Sequence, residues 1–126
     1  MYVSLDMDDP TPIYEQLILS IKELVNRGDL KPGDSLPTVR QLAQDLGVNL
    51  NTVARAYREL AGRGVLSVRQ GRGAYVTSHK ARPSAADRKS LSKRLKGLVN
   101  EAVFFGIGPR ELHTMLDSEL AWIAER

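Results

Sequence analysis

Apolar residues recur at helical spacing in five stretches of the chain, and two shorter runs between the third and fourth stretches favour strands. The first stretch begins near Ile13 and ends at Gly28. The next two hold Leu42, Ala43 and Leu46, then Val53, Ala56, Tyr57 and Leu60. The last two run from Leu91 to Val103 and from Leu112 to Ile123. The runs VLSVR and AYVT are rich in β-branched and aromatic residues, which predicts a β-hairpin.

Capping residues mark where these helices begin and end. Thr11-Pro12 predicts a capping side chain followed by proline at the first helical position. Thr38 and Gln41 have the spacing of a capping box, and so have Ser84 and Asp87. Gly47 is a natural left-handed stop, and Asn49 can cap the third helix. The boundaries therefore agree with the apolar pattern.

The order of elements predicts a mainly α fold with a small β-hairpin. We expect a winged helix-turn-helix domain at residues 1–78, a linker at 79–83, and an antiparallel two-helix hairpin at 84–126. Two helices bury both of their apolar stripes poorly, so these stripes need a partner, either the first domain or a second chain. The charged linker favours the second chain. The predicted dimer contacts are Leu91, Leu95, Leu98, Val99, Ala102, Leu112, Met115, Leu116, Leu120 and Ile123.

The positive charge is concentrated in the middle of the chain. The net charge is only +3, but residues 49–78 hold 5 arginines against 1 glutamate, and residues 79–96 hold 7 Lys/Arg against 1 Asp. This pattern favours a polyanionic partner, although residues 79–96 alone could be a solvated basic linker. The chain has no cysteine, no membrane-length apolar stretch and no apolar signal core, so we expect it in the cytoplasm.

The second and third predicted helices form a helix-turn-helix whose outer side is polar. The third helix sets Asn51, Arg55 and Arg58 opposite its apolar stripe. In the major groove, asparagine can pair with adenine and arginine with guanine. An ordinary packed helix pair with a solvated face is the alternative. A hairpin tip with glycine and Arg72 follows, which suits a phosphate or minor-groove contact more than a plain solvated turn.

The sequence resembles the GntR family of bacterial transcription regulators over Pro12–Val76. The resemblance rests on PIYEQL, on GDLKPGDSLPTVRQLAQDLGVNLNTVARAYRELAGRGVL and on RQGRGAYV. It implies a dimer on a two-fold symmetric operator, and the two C-terminal helices are similar to the short YtrA-like branch, where they serve dimerisation. The DNA contacts implied by the resemblance or expected from the helix face are Arg40, Asn49, Asn51, Thr52, Arg55, Arg58, Gln70, Gly71 and Arg72. Some branches carry arginine where this chain has Leu50 and Ala54, so the operator sequence does not carry over.

We therefore expect a DNA-binding transcription regulator. The most specific form of this hypothesis is a dimeric repressor that a small-molecule effector releases from its operator. A protein-binding winged helix is a second possibility, but it would expose an apolar third helix. We do not expect an enzyme, because the sequence contains no nucleophile–base pair typical of an active site. His79 and His113 lack partners at ligand spacing, so we expect no metal site and no cofactor. The sequence leaves open the regulated genes, the effector, and repression as opposed to activation.

Overall fold

The computed structural model describes residues 1–69, 73–77 and 83–124, which divide into two compact units, one within residues 1–80 and one within 81–126. The first unit contains α1 (Ile13–Arg27), β1 (Ser35–Leu36), α2 (Val39–Leu46), α3 (Leu50–Gly62), β2 (Leu66–Arg69) and β3 (Gly73–Val76). The second contains α4 (Ala85–Phe104) and α5 (Pro109–Ala124). In the described part of the chain, no helix is long and apolar enough to cross a membrane. The predicted class, mainly α with a winged helix-turn-helix, is confirmed.

Helix α1 starts one residue later than the sequence predicts. Pro12 is its N-cap and makes no side-chain capping bond, so the prediction that Thr11 caps the helix was wrong. The Gln16 side chain contacts the segment before the helix instead. Its Nε2 donates to the Thr11 carbonyl at 2.9 Å and to the Asp6 carbonyl at 3.0 Å. Asp6 N–H donates back to Gln16 Oε1 at 2.8 Å. One glutamine thus fixes the N-terminal segment against α1.

The turn between α2 and α3 forms largely as predicted. Thr38 Oγ1 accepts the Gln41 N–H at 3.1 Å, but the Gln41 side chain donates to Asp45 instead of closing the capping box. Gly47 ends α2 at φ 67°, in the left-handed region that favours glycine. Asn49 Oδ1 then accepts the Asn51 N–H at 2.8 Å and caps α3. The turn is therefore held by local bonds that the sequence encodes directly.

The predicted hairpin is part of a three-stranded antiparallel sheet. Strand order is β1-β3-β2. The short strand β1 follows Pro32-Gly33, a dipeptide typical of turns, and the apolar pattern does not predict it. Ser35 pairs with Tyr75 and Leu36 with Ala74, so β1 covers the edge of β3 that the hairpin leaves open. The wing strands are thereby fixed to the segment that leads into α2.

The first unit has its own hydrophobic core. Leu17 and Ile21 of α1 and Val53 and Leu60 of α3 are its most completely buried large side chains. The predicted buried stripe of α3 is confirmed, since Ala56 and Tyr57 complete it. The sheet adds Leu36, Leu66, Ala74 and Val76 to the same cluster. Packing on α1 and α2 therefore fixes α3 by one side and leaves its other side outside the core.

The second unit is a helix pair with exposed apolar residues. Ser84 and Asp87 form both bonds of the predicted capping box at the start of α4, and Pro109 begins α5. Gly106 makes the connecting turn at φ 79°. Within residues 83–123, Ala102 is the one buried apolar side chain. The predicted dimer contacts, Ala102 and the half-buried Leu112 apart, are therefore exposed in the single chain.

Candidate nucleic-acid interface

The outer side of α3 divides into two rows of residues. At helical spacing of four, the first row holds Leu50, Ala54 and Arg58, and the second holds Arg55, Glu59 and Arg63. Leu50 and Arg58 are exposed, while Ala54 is half-buried. The polar face that the sequence predicts as one surface therefore has two parts with different neighbours.

The second row is tied to the protein itself. Arg55 Nε lies 3.8 Å from one Glu59 carboxylate oxygen, and an Arg63 guanidinium nitrogen lies 3.7 Å from the other. The Arg55 guanidinium carbon also lies 3.7 Å from the centre of the Tyr14 ring, which is a cation–π contact between α3 and α1. Arg55, a predicted DNA contact, is thus also a brace between two helices.

Tyr14 and Glu59 are site residues that the sequence interpretation missed. The Arg55–Glu59 spacing of four could have indicated an ion pair on one helix face. No comparable signal links Tyr14 to Arg55, because the two residues meet only after α1 and α3 pack together. The side chain of Arg55 remains half-exposed at 53%, so its contacts leave part of the guanidinium open.

The first row lies beside exposed polar and basic groups. Asn51 is exposed next to Leu50, and Arg40 is exposed at the second residue of α2. Within the described residues, neither Arg40 nor Arg58 lies in an ion pair. Unpaired guanidinium groups can donate to phosphates in a bidentate way. Arg40 and Arg58 are therefore two cations of this surface that are open to an external anion.

The N-terminus of α3 is already satisfied in part by its own residues. Asn49 uses its side-chain oxygen to cap the Asn51 N–H, so only its amide nitrogen is left to donate outward. Thr52 is half-buried, and its N–H donates to the Asn49 carbonyl at 3.1 Å. The structure thus brings Asn49, Asn51 and Thr52 together at one end of α3.

Tyr57 ties α3 to the segment before α2. Its hydroxyl donates to the Pro37 carbonyl at 2.7 Å, and burial raises the pKa of this phenol above its ordinary range. The neutral hydroxyl therefore remains a donor at physiological pH. Because Pro37 immediately precedes the cap of α2, this bond sets the position of Arg40 relative to α3.

The predicted wing contacts Gln70, Gly71 and Arg72 lie outside the described residues, as does His79. The two strands beside them are paired up to Arg69 and Gly73, the last residue pair before the tip. Among the described residues, no group of His, Cys, Asp and Glu could hold a metal ion, and His113 is exposed on α5.

The sequence and the fold both match known regulators. Residues 13–76 match the family described as bacterial regulatory proteins, gntR family. The chain is 40% identical to the HTH-type transcriptional repressor YtrA of Bacillus subtilis over 113 residues, which cover 88% of this chain and 86% of YtrA.

Solved structures extend the match to the fold. A transcriptional antiterminator from Listeria monocytogenes superposes with a TM-score of 0.87 at 29% identity, over 94% of this chain and 90% of that one. YtrA from Sulfolobus acidocaldarius, a GntR-family transcription factor, gives 0.63 at 36% identity, over 80% and 96%. The DNA-binding domain of AraR in complex with operator ORX1 gives 0.55 at 28% identity, over 61% and 99%. The chain therefore belongs to the gntR family of bacterial regulatory proteins, and it is a DNA-binding transcriptional regulator, not an enzyme.

Proposed function

We propose that the protein is a dimeric repressor that acts in the cytoplasm on a two-fold symmetric operator. The observation that carries this proposal is the exposed side of α3, which holds Leu50, Asn51 and Arg58, together with Arg40 on α2. Neither arginine lies in an ion pair of the described residues. A helix supported from behind by two others and exposed along one side has the form that fits a major groove.

The proposed contacts divide by chemistry. Arg40 and Arg58 bind phosphates on either side of the groove, which fixes the register of the protein on the duplex. Asn51, with Asn49 and Thr52 at the same helix end, supplies hydrogen bonds to bases or phosphates. The wing residues Gln70, Gly71 and Arg72 approach the minor groove or the backbone. The complex of the AraR DNA-binding domain with its operator supports this arrangement, because that domain superposes on 61% of this chain.

Arg55 is proposed to contact a base while Tyr14 and Glu59 hold its side chain. Replacing Arg55 with alanine is expected to weaken specific binding by about 1–3 kcal/mol, the value of one good base contact. Arg27 is a matched control, because it also pairs with a glutamate four residues away, Glu23, at 2.8 Å, but lies at the end of α1. Equal affinity of Arg55→Ala and Arg27→Ala for the operator would show that Arg55 is a structural brace only.

The test of DNA binding starts from a pool of random duplexes. Sequences that bind wild-type protein are selected, and their affinity is compared with that of unselected DNA at several salt concentrations. We expect tighter binding to the selected DNA and a linear fall of log affinity with log salt concentration. Binding no tighter to the selected DNA than to random DNA would reject sequence-specific regulation.

Dimerisation is proposed to use the exposed stripes of α4 and α5. Residues 1–78 would contact DNA, 79–83 would link, and 84–126 would join two chains. Leu91 and Leu98 are each 62% exposed, and full burial of a leucine contributes about 1.5–3 kcal/mol. Covering this stripe with a second chain would therefore contribute favourably to association.

The oligomeric state tests this part of the proposal directly. Leu98→Glu is expected to convert the dimer to a monomer in sedimentation experiments, because it places a charge in the centre of the stripe. Leu19→Glu is the control, since Leu19 is also 62% exposed but lies on α1. A monomeric wild type, or a Leu98→Glu variant that stays dimeric, would contradict the assignment of residues 84–126.

Repression would follow from occlusion, because a dimer on an operator that overlaps a promoter excludes polymerase. A small-molecule effector would release the dimer by changing the spacing of its two DNA-binding units. A thermal-shift screen with metabolites, followed by operator release with each hit, tests this part. Hits that stabilise the protein without releasing DNA would contradict control by an effector.

A further inference from the structure

The first residue of α3, the helix that we propose enters the major groove of DNA, has an apolar side chain. Leu50 is the first residue of α3, and 41% of its surface is exposed. It is exposed, unlike its neighbours, the half-buried Val48 and the buried Val53, which belong to or pack against the core. Ala54 follows one turn later in the same row. Burial in the core therefore does not explain the leucine at this position.

The surroundings of Leu50 indicate what it contacts. Asn51 is exposed beside it, Arg58 ends the same row, and Arg40 lies on the neighbouring helix. A partner with an apolar surface that covered this side of α3 would also cover Arg58, two turns further along, and leave its charge desolvated. This side of α3 does suit the major groove, where anionic backbones flank base edges and thymine presents a C5-methyl group.

We propose that Leu50, supported by Ala54, contacts the C5-methyl group of thymine in each half-site of the operator. This inference rests on the proposed function and adds to it a preference of the protein for a T·A base pair facing the first turn of α3. Leucine and alanine offer no hydrogen bond, so discrimination at this pair comes from packing on the methyl group. Asn51 and the backbone contacts then fix the position of the helix.

The contribution of one methyl group has a defined size. Burying one group the size of a CH₂ changes the binding constant about fourfold. Because a symmetric operator presents the contact twice, removing both methyl groups should weaken binding by about sixteenfold. Replacing thymine with deoxyuridine removes only this methyl group and leaves base pairing intact.

The experiment uses full-length protein and a selected operator in which each thymine position of both half-sites is changed in turn to deoxyuridine. For wild type, we expect one symmetric pair of positions where the change weakens binding about sixteenfold. For Leu50→Ala, the same change should weaken binding by less than fourfold. Leu19→Ala, which truncates an exposed leucine on α1, should behave like wild type. A thermal unfolding scan confirms that both variants remain folded.

Two results would overturn the proposal. One is a wild-type protein that binds the selected operator specifically but is insensitive to deoxyuridine at every position. The other is a methyl effect of equal size in wild type and Leu50→Ala. Both results leave specific DNA binding intact, so they differ from failure of the proposed function, in which wild type would not distinguish selected from random DNA.

Discussion

Removing the hydroxyl group of Tyr57 tests how α3 is held against the start of α2. In Tyr57→Phe the ring still fills its site in the core, where only 3% of the residue is exposed. The bond from the hydroxyl to the Pro37 carbonyl, 2.7 Å long, is lost. The variant therefore isolates one hydrogen bond without creating a cavity.

The expected loss of stability follows from the surroundings of that bond. A neutral hydrogen bond contributes about 0.5–1.5 kcal/mol, and a buried acceptor left without a partner adds about 1–3 kcal/mol. Pro37 is only half-buried, so water can partly replace the hydroxyl. We expect Tyr57→Phe to lower the free energy of unfolding by about 1–2 kcal/mol at pH 7. For a domain of this size, each kcal/mol corresponds to a shift of about 4–8 °C in Tm.

The effect should depend on pH in a defined direction. Burial raises the pKa of Tyr57 in the folded protein, whereas in the unfolded chain it ionises near its ordinary value of 10.0. The raised pKa contributes to the free energy of unfolding in full below pH 10. This contribution is lost as the pH rises toward the pKa of the folded protein. The loss is about 1.4 kcal/mol per pH unit. Phenylalanine does not ionise, so the difference between wild type and variant should disappear near pH 11.

Urea unfolding followed by circular dichroism at pH 7 and at pH 11 measures both effects. Tyr2→Phe is the control, because it removes a hydroxyl from a residue that is 82% exposed. Its unfolding free energy should stay within about 0.5 kcal/mol of wild type at both pH values. Equal stability of Tyr57→Phe and wild type at pH 7, or a deficit that does not change up to pH 11, would refute the reasoning.

Three further predictions concern contacts elsewhere in the two units. Gly47→Ala should lower the unfolding free energy by about 1 kcal/mol, because the positive φ disfavours a Cβ although no neighbour blocks it; an unchanged urea midpoint would contradict this. Tyr14→Leu and Arg55→Met should show a coupling of about 0.5–1 kcal/mol in a double-mutant cycle, and additive effects would exclude a cation–π contribution. Hydrogen bonds with Ser84 lower the pKa of the Asp87 carboxyl group. The stabilisation of α4 by this carboxylate should therefore be present above pH 4 and lost below it. Circular dichroism should show this loss in wild type and not in Asp87→Asn.

The sequence predicts most of this fold because its boundary signals are local. The caps at Thr38, Asn49 and Ser84 involve residues no more than three positions apart, so they can be read from spacing alone. Strand β1 could not be predicted this way, because Ser35 finds its partner Tyr75 forty residues later. Two residues with no alternating neighbours carry no strand pattern of their own.

The candidate site shows the same limit more sharply. Helical periodicity correctly places Asn51, Arg55 and Arg58 outside the core, but it treats all of them as one polar face. The environment of each side chain depends on α1, which lies about forty residues earlier in the sequence. Only the folded structure shows that Tyr14 contacts Arg55 while Arg58 has no ion pair within the described residues.

This division of α3 changes where discrimination between bases should be sought. Glu59 partly neutralises Arg55 and Arg63, so the second row contributes less net charge to a DNA complex than its two arginines suggest. The first row keeps its cation at Arg58, a distance of two helical turns from Leu50. A row that is apolar at the helix start and cationic further along separates the two tasks of a DNA-binding helix. In the proposed complex, backbone attachment depends on Arg40 and Arg58, and base preference depends on Arg55 together with the smaller contacts of Leu50, Ala54 and Asn51.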